Sequence, residues 1–156
     1  MKIGVFAGSF CPITVGHVDA ITRAAALVDK LYVVVGVNPS KKYVFSIDER
    51  LQMVSQSIRL ANVECVAWEG MLTDFCQKVG ATVMIKVARN AAEMQEVLDL
   101  ADVNRDFWDG ETVFVVADKR YRYVSSSLVR ELAGLGKDFS AYVPEEVYKT
   151  IKERLN

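Results

Sequence analysis

The sequence predicts an α/β protein, a five-stranded parallel sheet with helices on both faces. Three observations lead there. Short apolar runs alternate along the whole chain with segments whose apolar residues recur every three or four positions. The runs are near-continuous rather than alternating in polarity, as in strands buried on both faces. No repeat, low-complexity tract or linker interrupts the series, so residues 1–156 read as one domain.

The elements follow in order. Residues 2–7 form an apolar run ending at Gly8, a first buried strand. From Gly16 the pattern becomes helical, with Val18, Ile21, Ala25 and Val28 on one face. Residues 31–37 (LYVVVGV) are rich in β-branched side chains and read as a second strand. A polar loop, NPSKKYVFS, leads to Ser46, which forms a capping box with Glu49. Ile47, Leu51, Val54 and Ile58 give that helix its apolar stripe. Residues 62–68 read as a third strand, and residues 72–79 as a short helix stopped by Gly80. Residues 81–86 are the fourth strand. Asn90 with Glu93 caps the next helix, lined by Met94, Val97, Leu98 and Ala101. Residues 112–116 are the fifth strand, and VSSSLVREL is a serine-capped helix start. Pro144 opens a last helix carrying Val147, Ile151 and Leu155.

Composition narrows the function. The chain is 51% apolar and 25% charged, as ordinary globular proteins are. Its 19 lysines and arginines balance 20 acids, so there is no general attraction to nucleic acid or an anionic membrane. A phosphorylated ligand has to be held by local clusters. Cys11, Cys65 and Cys76 form no CxxC pair, and an odd count argues against a disulfide framework. A single histidine, His17, argues against a His/Cys zinc site. The N-terminal run lacks a signal-peptide pattern, and no apolar stretch nears the ~20 residues that span a bilayer. The expectation is a reduced, soluble, cytoplasmic protein.

Ligands of parallel sheets sit beyond the carboxyl ends of the strands, which selects residues 8–17, 38–46, 86–90 and 117–127. The first is a glycine-bounded turn into a helix whose free N–H groups favour an anion. It is neither a Walker A loop nor a GxGxxG fingerprint, and an ordinary turn with an exposed histidine is the alternative. The second carries Lys41 and Lys42, the third Lys86 and Arg89; each pair suits a phosphate chain or plain solvent exposure. The fourth, ADKRYRYVSSS, interleaves basic and aromatic residues and ends in Ser125, Ser126 and Ser127 at a helix start. Simple capping is the alternative there, and a nucleic-acid surface ranks last. Together the four place cations and anion-holding backbone at one sheet end, without paired carboxylates or a cysteine nucleophile. That chemistry is phosphoryl or nucleotidyl transfer.

The order of these motifs resembles one family. GSFCPITVGH at residues 8–17 is similar to the GxFDPxTxGH stretch of bacterial phosphopantetheine adenylyltransferases, within the nucleotidylyltransferase superfamily. NPSKKYVFSIDER resembles the family's PSKKxxFxxxER, and VNR at 103–105 and VSSSLVREL at 124–132 resemble its MNR and ISSSLVKE. The match runs in order from residue 1 to about 150. The TxGH form points to this family rather than to HxGH cytidylyltransferases or nicotinate-nucleotide enzymes.

The resemblance implies a Rossmann-like doubly wound fold and a homohexamer. It implies that ATP and 4′-phosphopantetheine give dephospho-coenzyme A and pyrophosphate in coenzyme A biosynthesis, with Mg²⁺ bound through the ATP phosphates and no metal ligands from the protein. Carried over by position, His17 and Lys41 are the catalytic pair. Ser9 and Lys41 hold the attacking phosphate. Ser9, Phe10, His17, Arg89, Ser125, Ser126 and Ser127 bind ATP. Leu72, Lys86 and Asn104 line the pantetheine site. The chain departs from the pattern at Cys11 (aspartate in the family), at KVAR 86–89 (RGLR), at Val97 (glutamate) and mildly at Ser9 (threonine). Two alternatives therefore stand beside the leading one. One is a sibling enzyme with another phosphorylated acceptor; the other is a nucleotide-binding homologue with little or no turnover.

Overall fold

The computed structural model describes residues 1–155. Five parallel strands alternate with helices: β1 (Ile3–Gly8), α1 (Val15–Ala25), β2 (Lys30–Gly36), α2 (Ile47–Ser57), β3 (Val63–Trp68), α3 (Leu72–Val79), β4 (Val83–Ala88), α4 (Ala91–Arg105) and β5 (Glu111–Val116). Then come α5 (Ser126–Gly134), a 3₁₀ turn (Ser140–Tyr142) and α6 (Glu145–Leu155). The sheet order is β3-β2-β1-β4-β5, the doubly wound arrangement expected from the sequence.

Both faces are covered. Val5 and Phe6 are consecutive on β1 and enter different cores, because strand side chains alternate. Phe6 joins Ile21 of α1, Val54 of α2, Val129 of α5 and Ile151 of α6. Val5 joins Phe75 and Cys76 of α3, with Met84 and Trp108.

The sheet opens at its switch point. β1 pairs with β2 from Ile3 to Gly8, but with β4 only at Gly4 and Val5. Beyond Val5 the two central strands part and leave a crevice at their carboxyl ends, where such sheets bind ligands.

Four expectations are corrected. First, β4 begins two residues later than the apolar run suggests, and it ends at Ala88. Gly80 adopts φ 70° as the C-cap of α3, and the Ala81 N–H bonds back to Cys76 O at 2.9 Å. Ala81 is thus held by the helix end and cannot join the ladder. Lys86 consequently lies inside the strand, two residues before its end, and not at the strand's carboxyl end. Second, α1 ends at Ala25, and Val28 packs on the core from beyond it. Third, Pro144 stands one position before α6, its carbonyl accepting the Tyr148 N–H at 2.9 Å; Leu155, the last of the α6 stripe, is exposed. Fourth, the α4 residues read as a core stripe are largely exposed, Met94 and Leu98 among them, and Asn104 is that helix's buried residue.

Candidate active site

A cleft of about 690 Å³ occupies the crevice between β1 and β4. Its lining includes Ser9, Phe10, His17, Lys41, Arg89, Ser125, Ser126 and Ser127, so four separate segments of the sequence converge on one site.

His17 is built into the start of α1. Thr14 is the N-cap, and its Oγ1 accepts the His17 N–H at 3.3 Å. The Thr14 N–H in turn donates to His17 Nδ1 at 3.0 Å. Sequence reading offered a helix-start residue or a chemical group; the geometry makes His17 part of the cap and leaves its other edge available. Nδ1 acts as acceptor, so the neutral ring carries its proton on Nε2. Burial, then the nearby Arg89 guanidinium, push His17 down to about 4, while Glu93 pulls weakly the other way. At neutral pH the ring is an uncharged hydrogen-bond donor.

Phe10 packs edge-on to this ring, centroids 5.1 Å apart, and has a left-handed backbone (φ 47°). Its own ring fills the space at Gly8, where an added Cβ would lie 3.1 Å from it. Gly8 therefore makes room for Phe10, and it also lines the cleft. Cys11 beside it is buried and free.

The far wall is the start of α5. Ser125 caps the helix by accepting the Leu128 N–H at 3.1 Å. Ser126 Oγ donates to Pro12 O at 2.7 Å, which ties α5 to the β1–α1 turn. The Ser126 and Ser127 N–H groups are at the first helical turn, as are those of Val15 and Gly16 in α1. Both helix starts border the cleft, and such ends favour anions.

Cations complete the site. Arg89 Nε donates to Glu93 Oε1 at 2.9 Å, and Nη1 donates to Val124 O at 3.0 Å. The same Glu93 accepts the Arg89 backbone N–H at 2.9 Å and is held below the usual carboxylate range by these bonds, despite its burial. Lys41 and Lys42 also border the cleft. Asp118 also faces the cleft, and hydrogen bonds from Arg120 hold it at about 2.

Lys86, Leu72 and Asn104 do not line this cleft. Alternation along β4 turns Lys86 to the face opposite Val87, so Arg89 lines the cleft and Lys86 does not, although their spacing suggested that both would face one phosphate chain. The three residues instead share the α3 side of the sheet. Leu72 packs on the cluster that contains Met84, and Asn104 Nδ2 lies 3.6 Å from Met84 Sδ. Burial pushes the Lys86 ammonium down in pKa, with a partial offset from Cys76, whose thiol burial raises to about 11.

Sequence reading missed five contributors. Arg130 lines the cleft, with Nη1 donating to Cys11 O at 2.6 Å and Nη2 to Ser127 Oγ at 3.2 Å. Its place one helical turn after Ser126 was the available signal. Glu93 stands four residues after Arg89, the spacing of a helical ion pair. Thr14 stands three residues before His17, the spacing of a capping box. Glu96 borders the cleft beside Val97 and places a carboxylate there one position early. Tyr43 also borders it, resting on a buried Arg50.

A switch-point cleft with two helix N-termini, a neutral histidine donor and converging cations defines a nucleotidylyltransferase. A sequence profile of the cytidylyltransferase-like family matches residues 5–132. The fold is similar to that of a putative nicotinate-nucleotide adenylyltransferase from Vibrio parahaemolyticus. The TM-score is 0.69 at 16% identity, over 99% of this chain and 94% of that one. The chain belongs to the phosphopantetheine adenylyltransferase family. It is 39% identical to the phosphopantetheine adenylyltransferase of Limosilactobacillus reuteri over 99% of this chain and 91% of that protein. It is 38% identical to the one of Clostridium perfringens over 100% of this chain and 96% of that protein.

Proposed function

We propose that the protein transfers AMP from ATP to 4′-phosphopantetheine, giving dephospho-coenzyme A and pyrophosphate. The observation that carries the reading is the His17 ring, fixed by Thr14 as a neutral donor between two helix starts in a cation-lined cleft. The acceptor phosphate is already anionic near neutral pH, so its oxygen attacks the α-phosphorus without a general base. One P–O bond forms, the bond to the β-phosphate bridge breaks, and pyrophosphate leaves with the electron pair. Catalysis is then positioning and charge stabilisation.

Within this reading His17 donates to the α-phosphate. Arg89, Arg130 and the N–H groups of Ser126 and Ser127 take the β- and γ-phosphates. Ser9 and Lys41 hold the acceptor phosphate, and Lys86, Leu72 and Asn104 serve the pantetheine arm along the α3 side. Mg²⁺ enters as part of the MgATP substrate; among the described residues no three His, Cys, Asp or Glu side chains gather as a cage. The three free cysteines support a cytoplasmic location. The exposed apolar side chains of α4 support assembly with further copies of the chain, a hexamer by family resemblance.

Pyrophosphate release with ATP or CTP against a panel of phosphorylated acceptors tests the reading. ATP with 4′-phosphopantetheine gives the highest kcat/KM if it is right. A second acceptor is favoured by one observation: Lys86 offers a half-buried ammonium where the family carries the bidentate fork of arginine. Turnover confined to another acceptor would establish that alternative, and nucleotide binding without turnover would exclude both.

A further inference from the structure

We propose that Arg50 is a positioning residue that sets the spacing between Ser9 and Lys41, an inference that rests on the functional reading above. Arg50 lies on α2 and is 1% exposed. An isolated buried guanidinium is costly unless its surroundings compensate it. Among the described residues no carboxylate forms a salt bridge with it, and its Nε has no hydrogen-bond partner. A charge kept under those terms points to a task beyond packing.

Its contacts show the task. Nη1 donates to Ser9 O at 2.7 Å and to Gly36 O at 2.9 Å, so one nitrogen joins the carboxyl ends of β1 and β2. The guanidinium also lies 4.0 Å from the centroid of the Tyr43 ring. The Tyr43 hydroxyl accepts the Asn38 N–H at 2.8 Å and meets Ser9 Oγ at 3.4 Å. Between Asn38 and Tyr43 the Lys41 N–H bonds back to Asn38 O at 3.0 Å. Arg50 thus holds Ser9 through its backbone, and holds the Lys41 loop through a stacked tyrosine that closes that loop on itself. The two groups assigned to the acceptor phosphate are referenced to one rigid side chain.

The test is a double-mutant cycle on kcat. Arg50→Lys keeps the charge but cannot hold both carbonyls and the ring together. In the wild-type background it should lower kcat about 10- to 100-fold. In a Lys41→Ala background the same change should cost about threefold or less, because the group being positioned is gone. An equal loss in both backgrounds would show a merely structural role, and full kcat in Arg50→Lys would end the proposal. If Arg50→Lys does not fold, Tyr43→Leu on the exposed loop replaces it in the cycle with the same expectations. Hydrogen exchange at the Asn38 amide gives a readout independent of turnover. Faster exchange in either variant is expected, and unchanged exchange overturns the proposal even if the wild-type protein shows no pyrophosphate release, a result that would separately end the functional reading.

Discussion

The Thr14 backbone N–H donates to Nδ1 of His17 at 3.0 Å, while Thr14 Oγ1 accepts the His17 N–H at 3.3 Å. One reciprocal pair therefore caps α1 and selects the tautomer of the only histidine. The cap and the donor are a single device. Its three-residue spacing serves the helix, and its spare Nε2–H serves the cleft.

His17→Ala should fold, since Thr14 can still cap the helix through the backbone N–H at position 17. Its kcat should fall about 10²- to 10³-fold, the usual loss when a donor aimed at developing charge is removed. Steady-state pyrophosphate release, with circular dichroism as the folding control, checks this. Retention of full kcat would remove His17 from the mechanism.

The same ring makes stability depend on pH. His17 titrates near 6.5 when unfolded and at about 4 when folded. Between those values the unfolded chain binds a proton that the folded chain does not. Stability is therefore full above the unfolded value and declines as pH falls through this window. The groups acting on the ring are Arg89 and Glu93. Urea midpoints at about pH 7 and about pH 4.5 should drop further in the wild type than in His17→Gln, which lacks the titrating group. Equal drops would show that the ring is not held neutral.

Much of this site is legible in the sequence, and the rest is hidden for identifiable reasons. The capping box at Ser46–Glu49 obeys a local spacing rule and is read directly, whereas the same spacing at Thr14–His17 goes unused because the helical pattern reads as beginning at Gly16. Lys86 was misplaced because the C-cap of α3 captures Ala81 and shifts β4 by two residues, a tertiary event invisible in the apolar run. Arg50 stands in the ER of the matched NPSKKYVFSIDER stretch but received no role, because only the convergence of the β1 and β2 ends provides carbonyls to receive it. Arg130 was overlooked because α5 and the β1–α1 turn are far apart in sequence, and only folding brings Cys11 O to the guanidinium.

The Arg89–Glu93 pair is the next point of control. Glu93 accepts both the Arg89 backbone N–H and its Nε at 2.9 Å, so the guanidinium is aimed before ligand arrives. Glu93→Gln keeps the shape and removes the charge. KM for ATP should rise about tenfold, roughly 1.4 kcal/mol, with kcat within about threefold. An unchanged or lower KM would mean that Glu93 restrains Arg89 rather than presenting it.

Helix α4 carries apolar side chains that its own sheet does not cover. Leu98, Leu100 and Val103 are 49%, 46% and 51% exposed, and Phe107 just beyond the helix is 50% exposed. Sequence periodicity alone does not distinguish a stripe buried in the chain's own core from one buried against another chain. Exposed apolar patches of this kind mark association surfaces, and a second copy of this chain is the occupant proposed above. Val103→Asp places a charge on a surface that is half exposed in the single chain, so it should cost the monomer little. In an assembly the same carboxylate would be desolvated without a partner, at several kcal/mol, enough to split the oligomer. Light scattering after size exclusion should give a multiple of the chain mass for the wild type and a smaller particle for Val103→Asp. A wild type that runs at the mass of one chain would remove both the α4 interface and the proposed hexamer.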